Sequence, residues 1–84
     1  MAKKVLIVDD DAYLRDLYEE VLKEAGYEIT TAVDGEEGAG KLQAGGFDLT
    51  LLDVMMPKLD GLGVLKELQQ TPPTTPNGPI LLLT

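Results

Sequence analysis

Four short apolar runs alternate along the chain with three segments of helical spacing. The runs cover residues 5–8, 27–32, 47–52 and 80–84. Because they are short and three of them are rich in Val, Ile and Leu, those three predict strands buried on both faces of a parallel sheet. The run at 27–32 alternates partly with polar residues and predicts a half-exposed edge strand. The order of elements predicts an α/β fold with right-handed crossovers.

The first helix is marked by an apolar stripe and by signals at both ends. Asp11 is placed to cap its N-terminus, and Gly26 is placed to end it in a left-handed conformation. The stripe falls on one face at helical spacing, so we expect it to be core. Its members are Leu14, Leu17, Tyr18, Val21, Leu22 and Ala25.

The second and third helices carry weaker signals. Asp34 and Glu37 have the spacing of a capping box before a helix at about 35–44, although two glycines lower its propensity. Gly45-Gly46 then predicts a turn, and the third helix runs through Leu62, Leu65 and Leu68. Residues 71–79 hold four prolines and predict a loop, because proline cannot continue a helix.

Aspartates follow two of the predicted buried strands. Asp9, Asp10 and Asp11 come directly after the first strand, and Asp53 follows the third. Since parallel strands bring their C-terminal ends to one sheet edge, where ligands bind, we expect Asp9, Asp10 and Asp53 to converge. Crowded carboxylates repel one another and favour a hard divalent cation with oxygen ligands. Taken singly, each aspartate would be read as a helix cap or a solvated loop residue.

Composition narrows the class of protein. The 84 residues suffice for one small domain, and a net charge of −8 argues against nucleic acid as a direct partner. There is no cysteine and no histidine, which excludes disulfides, thiolate metal sites and imidazole chemistry. No apolar run approaches the roughly 20 residues of a membrane span. We therefore expect a cytoplasmic protein without a membrane partner.

Several motifs together resemble the receiver domain of two-component response regulators. They are the segments at 5–11, 34–37, 48–57, 60–61 and 79–84, which occur in family order and spacing. The resemblance implies a flavodoxin-like three-layer sandwich with strand order 2-1-3-4-5. It also implies that the domain signals in a phosphorelay and is not a turnover enzyme.

The resemblance also implies a role for particular residues. Asp53 would accept a phosphoryl group from a sensor histidine kinase or a histidine phosphotransfer protein. Asp10 and Asp53 would coordinate Mg²⁺ directly, Asp9 would act through a water, and the Met55 backbone carbonyl would add an oxygen. Thr84 would bind the phosphoryl group and switch conformation. Phosphoryl transfer depends on in-line geometry and on neutralised charge, which fits such an acidic cleft.

The family pattern continues beyond Thr84, so we expect residues 1–84 to form an incomplete receiver domain. A fourth helix, a fifth strand and a fifth helix would be lacking, together with the lysine at the end of strand five. Lys58 is a poor substitute for that lysine, because it lies in the loop after Asp53. Strand four would then be an apolar edge, through which we expect the chain to form homo-oligomers.

Two other functions compete with the phosphoacceptor. The first is a truncated pseudo-receiver that serves only as an interaction or assembly fragment without phosphotransfer. The second is an aspartate-nucleophile phosphohydrolase. That chemistry usually wants a second aspartate two residues after the nucleophile, where this chain has Met55. Phosphate incorporation at Asp53 would separate the first alternative from the receiver, and release of phosphate from small esters would support the second.

Overall fold

A computed structural model describes residues 2–57 and 59–83 of the chain. The strands are β1 (Lys4–Val8), β2 (Glu28–Ala32), β3 (Leu49–Asp53) and β4 (Ile80–Leu83), and the helices are α1 (Ala12–Glu24), α2 (Gly35–Ala44) and α3 (Gly61–Gln70). The predicted alternation of strands and helices is confirmed. Thr84, the predicted switch residue, lies outside the described residues, as does Lys58. No helix among the described residues combines the length and apolar character that a membrane crossing requires.

The four strands form one parallel sheet in the order β2-β1-β3-β4. The register places Val8 at the end of β1 between Ala32 of β2 and Leu52 of β3. On the other side of β3, Asp53 is opposite Leu83 of β4. This order confirms the flavodoxin-like topology and brings the C-terminal ends of β1 and β3 together.

The main core lies between the sheet and the α2–α3 layer. Successive strand residues point to opposite faces, so Leu6, Val8 and Leu52 share the face that α2 and α3 cover. Its buried members are Leu6, Val8, Ala32, Ala39, Leu42, Leu52, Met56 and Val64. Thr50 is fully buried in the middle of β3, and its hydroxyl Oγ1 has no hydrogen-bond partner among the described residues.

The stripe of α1 is less buried than its periodicity predicts. α1 contacts β1 and β2 from the face opposite α2 and α3. Leu14, Tyr18 and Leu22 are half-buried, but Leu17 is 41% exposed and Val21 is 56% exposed. The prediction that the whole stripe is core was therefore wrong. Within the described residues, α1 packs mainly on two strands, so one flank of the stripe stays in solvent.

Side chains and a glycine define the helix ends as predicted. The Asp11 carboxylate accepts hydrogen bonds from the backbone N–H groups of Tyr13 and Leu14 at the start of α1. Gly26 follows α1 with a φ of +98°. Asp34 accepts from the Glu37 N–H at 2.9 Å, and Glu37 Oε1 accepts from the N–H of Val33, one residue before the cap. The predicted capping box thus forms with its return bond shifted by one residue.

The proline-rich loop is fastened to the rest of the fold by Asn77. Its amide nitrogen donates to the Leu42 carbonyl at 2.9 Å, and its Oδ1 accepts from the Phe47 N–H at 3.1 Å. The Gly78 N–H also donates to the Phe47 carbonyl, at 2.7 Å. These bonds connect the end of α2 with the residues that precede β3 and β4. They lie at the N-terminal ends of the strands, opposite the aspartates.

Candidate metal centre

Three carboxylates converge where β1 and β3 end. One oxygen each from Asp9, Asp10 and Asp53 can be chosen so that all three lie within 4.8 Å of one another. Asp9 and Asp10 follow β1, and Asp53 is the last residue of β3. The arrangement follows from the pairing of β1 with β3, which places both strand ends side by side.

Asp9 is the buried member of the cluster, with 3% of its surface exposed. Its N–H donates to the Ala32 carbonyl at 3.2 Å, and its Oδ1 accepts from the Asp11 N–H at 2.9 Å. Burial raises the pKa of the Asp9 carboxyl, and the charges of Asp53, Asp10 and Asp11 raise it further, against the opposing bond from Asp11. The negative charge of Asp9 is therefore disfavoured unless a cation comes close.

Hydrogen bonds fix the Asp53 carboxylate and the backbone that follows it. Its Oδ1 accepts from the Met55 N–H at 3.0 Å, and the next residue, Val54, donates from its N–H to the Leu83 carbonyl at 3.0 Å. The Met55 side chain is exposed. Among the described hydrogen bonds, the second carboxylate oxygen of Asp53 accepts none, which leaves it available to a ligand.

The start of α3 packs closely against the strand end that carries Asp53. A Cβ atom at Gly61 would lie 2.8 Å from the Asp53 carbonyl oxygen and 2.9 Å from Val54 Cα. Asp60 caps the helix by accepting from the Gly63 N–H at 2.7 Å. The sequence correctly predicts a turn and helix start at Asp60-Gly61, whereas the close approach to Asp53 is a tertiary feature that local sequence does not reveal.

Arg15 is a residue near the site that sequence reasoning missed. Its Nη1 donates to the Asp9 carbonyl oxygen at 2.8 Å. The available signal was its isolation, because it is the only basic residue between Lys4 and Lys23 and it lies in the first turn after the aspartates. On sequence alone it belongs equally well to a solvated helix face.

The donor set fits a hard divalent cation. It consists of carboxylate oxygens without nitrogen or sulfur, and Mg²⁺ prefers a few carboxylates with the rest of its shell made of water. Burial raises the pKa of the Asp9 carboxyl and the neighbouring carboxylates raise it further, so a bound cation would favour its charged form. Asp9, Asp10 and Asp53 could therefore hold Mg²⁺, with Met55 close by in the chain.

Comparison with known proteins identifies the family of the chain and confirms its fold. The response regulator receiver domain family matches residues 5–84, and the chain belongs to that family. Over 82 residues it is 46% identical to the probable transcriptional regulator ycf27 of Cyanophora paradoxa, covering 98% of this chain and 33% of that protein. The chain thus spans about a third of the length of the curated relatives it matches.

Solved structures show the same fold. The response regulator TrrA of Thermotoga maritima in complex with Mg²⁺-BeF superposes with a TM-score of 0.82 at 43% identity, covering 98% of this chain and 69% of that one. TrrA in complex with the histidine kinase ThkA gives a TM-score of 0.80 at 43% identity, over 98% of this chain and 68% of that one. The protein is therefore a receiver domain of two-component signalling by family and by fold.

Proposed function

We propose that Asp53 accepts a phosphoryl group from a phosphohistidine of a sensor histidine kinase or a phosphotransfer protein. The observation that carries the proposal is the convergence of Asp9 and Asp10 on Asp53 at the end of a central strand. Support for the partner comes from the similarity to TrrA, which has been solved in complex with a histidine kinase. A cytoplasmic location belongs to the same proposal, on the ground that the sequence has no cysteine.

The transfer needs one oxygen of Asp53 that accepts no hydrogen bond and points toward the incoming phosphorus atom. The Met55 N–H engages Oδ1 and fixes the carboxylate plane, so the other oxygen attacks phosphorus. A phosphorus–oxygen bond to Asp53 forms while the phosphorus–nitrogen bond of the phosphohistidine breaks. The electron pair of that bond stays on the imidazole nitrogen, and the proton carried by the other ring nitrogen lets the donor leave as neutral histidine. Asp53 is consumed as an acceptor, which makes the domain a signalling module and not a turnover enzyme.

Asp10 and Asp53 would hold Mg²⁺ directly, and Asp9 would act through a water. The Met55 carbonyl would add a further oxygen. When bound, the cation supplies the positive charge that lets an anionic donor approach three carboxylates. Because Asp9 is buried and hydrogen-bonded to the backbone at Asp11 and Ala32, its negative charge stays in one place as the donor arrives. Thr84 completes the proposal as the residue that would bind the phosphoryl group.

Intact mass after incubation with acetyl phosphate and Mg²⁺ tests the proposal. We expect one phosphate adduct on the parent chain and none on Asp53→Asn. Asp48→Asn is the matched control, because it removes the same charge at the opposite end of β3, where Asp48 accepts from the Lys4 N–H. An adduct that persists in Asp53→Asn, or a folded parent chain that takes up no phosphate, would contradict the proposal.

A second candidate function, assembly through β4, rests on the exposure of that strand. β4 is the edge of the described sheet beside β3, and Leu81 is 54% exposed. An apolar strand edge carries free N–H and C=O groups that can pair with another chain. We expect a chain of these 84 residues to self-associate there, as light scattering over a range of concentrations would show. A monomer at high concentration would exclude assembly as the function, whereas self-association without a phosphate adduct would support it.

A further inference from the structure

Arg15 connects the first turn of α1 to the peptide unit that joins Asp9 to Asp10. The donor is Nη1, the acceptor is the Asp9 carbonyl oxygen, and the distance is 2.8 Å. That oxygen and the Asp10 nitrogen belong to the same planar group. A bond that fixes the oxygen therefore fixes the orientation of the plane, and with it the direction in which Asp10 leaves the strand.

The position of Asp10 depends on this backbone contact more than the positions of Asp9 and Asp53 do. Asp9 is buried and is held at its N–H by Ala32 and at its carboxylate by the Asp11 N–H. Asp53 is held within β3 and by the Met55 N–H. Asp10 is exposed, so the packing of its side chain contributes little to its position. The link from Arg15 acts on the peptide that precedes it.

The position and the charge of Arg15 have opposite effects on a cation. A guanidinium at the Asp9 carbonyl oxygen repels a divalent ion that approaches the site, although solvent and salt weaken that repulsion for a half-buried group. Groups that orient metal ligands through hydrogen bonds typically change metal affinity by about 10–100-fold. The two effects predict opposite signs when Arg15 is replaced, so the sign of the change identifies which one dominates.

We infer that Arg15 is a positioning residue for the divalent cation site. It orients the Asp9–Asp10 peptide so that both carboxylates meet Asp53, and this outweighs the repulsion from its charge. The inference rests on the proposed function, because it assumes that the aspartates hold Mg²⁺. Replacement of Arg15 should therefore weaken Mg²⁺ binding, even though it removes a positive charge from the neighbourhood of the site.

The test compares Mg²⁺ affinity, measured by calorimetry, in three variants. Arg15→Met keeps an unbranched stem and removes both charge and donor. Arg15→Lys keeps the charge but loses the planar fork. Lys23→Met is the matched control, since it removes one positive charge from the same helix, where Lys23 pairs with Glu19 at the surface. Amide chemical shifts of Asp10 and Asp11 in the metal-free proteins give a second readout.

We expect Mg²⁺ affinity to fall about tenfold in Arg15→Met and by a smaller factor in Arg15→Lys, with Lys23→Met unchanged. The metal-free shifts of Asp10 and Asp11 should move in both Arg15 variants. Equal or tighter binding by a folded Arg15→Met would overturn the inference. If that variant does not fold, wild-type affinity in Arg15→Lys would overturn it. If the parent chain binds no Mg²⁺, the proposed function fails, and unmoved amide shifts would then refute the positioning role separately.

Discussion

The backbone N–H of Met55 donates to Oδ1 of Asp53 at 3.0 Å, so the residue two positions after Asp53 fixes the plane of its carboxylate. The same relationship recurs at the neighbouring strand end, where the Asp11 N–H donates to Oδ1 of Asp9 at 2.9 Å. Two turns of the same kind thus aim one oxygen of each carboxylate at its own backbone. Under the proposed function, the free oxygen of Asp53 would take the phosphoryl group, and the free oxygen of Asp9 would face the cation through a water.

The buried charge of Asp9 should lower the stability of the metal-free domain. Asp9→Asn keeps an oxygen for the Asp11 N–H and removes the charge, so we expect the free energy of unfolding at neutral pH to rise by about 1 kcal/mol. The pKa of Asp9 is raised in the folded state. Asp9 therefore costs stability once the pH exceeds its unfolded pKa, and fully so above its folded pKa. The advantage of the variant should shrink as the pH falls through the folded value.

Denaturant unfolding with and without Mg²⁺ measures the stability cost of the Asp9 charge and the stabilisation that the cation provides. Mg²⁺ should stabilise the parent chain by binding the folded state, and it should stabilise Asp9→Asn less. Asp16→Asn is the control, because Asp16 is an exposed acidic residue of α1. A variant that is less stable than the parent without Mg²⁺, or equally stabilised by it, would contradict the charge-crowding explanation.

Two glycine substitutions should have opposite effects on stability, because Gly61 of α3 packs against the end of β3 whereas Gly40 of α2 has open space around it. Gly61→Ala would place Cβ against the backbone of Asp53 and Val54, so we expect a loss of about 1–3 kcal/mol in stability and slower phosphate uptake. Gly40→Ala lies in the middle of α2 with open space around it and should gain about 0.5–1 kcal/mol. Thermal unfolding measures the stability of both variants, and the rate of adduct formation measures their phosphate uptake. Similar effects of the two substitutions would show that the tight packing at Gly61 is unimportant.

Thr50 offers a separate test of the core. Its hydroxyl is fully buried without a described partner, which costs free energy that a methyl group does not. Thr50→Val is close in shape and keeps a β-branched residue in the strand. We expect a gain of about 1 kcal/mol in unfolding free energy with phosphate uptake unchanged. A destabilised Thr50→Val would mean that the hydroxyl has a partner in solution, such as a buried water.

The sequence was sufficient to predict the features of the fold and the site that depend on strand ends and on local helix caps. Asp9, Asp10 and Asp53 could be brought together because parallel strands end at one edge, and Asp11, Asp34 and Gly26 carry local signals. The exposure of Leu17 and Val21 could not be predicted, because periodicity gives a helix face without stating how much of the sheet covers it.

Long-range side-chain contacts could not be predicted from the sequence either. Arg15 and Asn77 act on backbone groups whose positions depend on the finished fold, with Asn77 bonded to Leu42 and Phe47. A loop with four prolines carries no local indication that one of its side chains fastens two other elements. Such contacts follow only when the strand order places the partners side by side.

The residue that carries the phosphoryl group is the central claim, and hydroxylamine mapping locates it directly. Hydroxylamine attacks the carbonyl of an aspartyl phosphate, releases inorganic phosphate and leaves a hydroxamate on the acceptor. After incubation with acetyl phosphate and Mg²⁺, followed by hydroxylamine, peptide mass spectrometry should find the hydroxamate on Asp53 alone. A hydroxamate on Asp9 or Asp10, or none in a folded protein, would contradict the account.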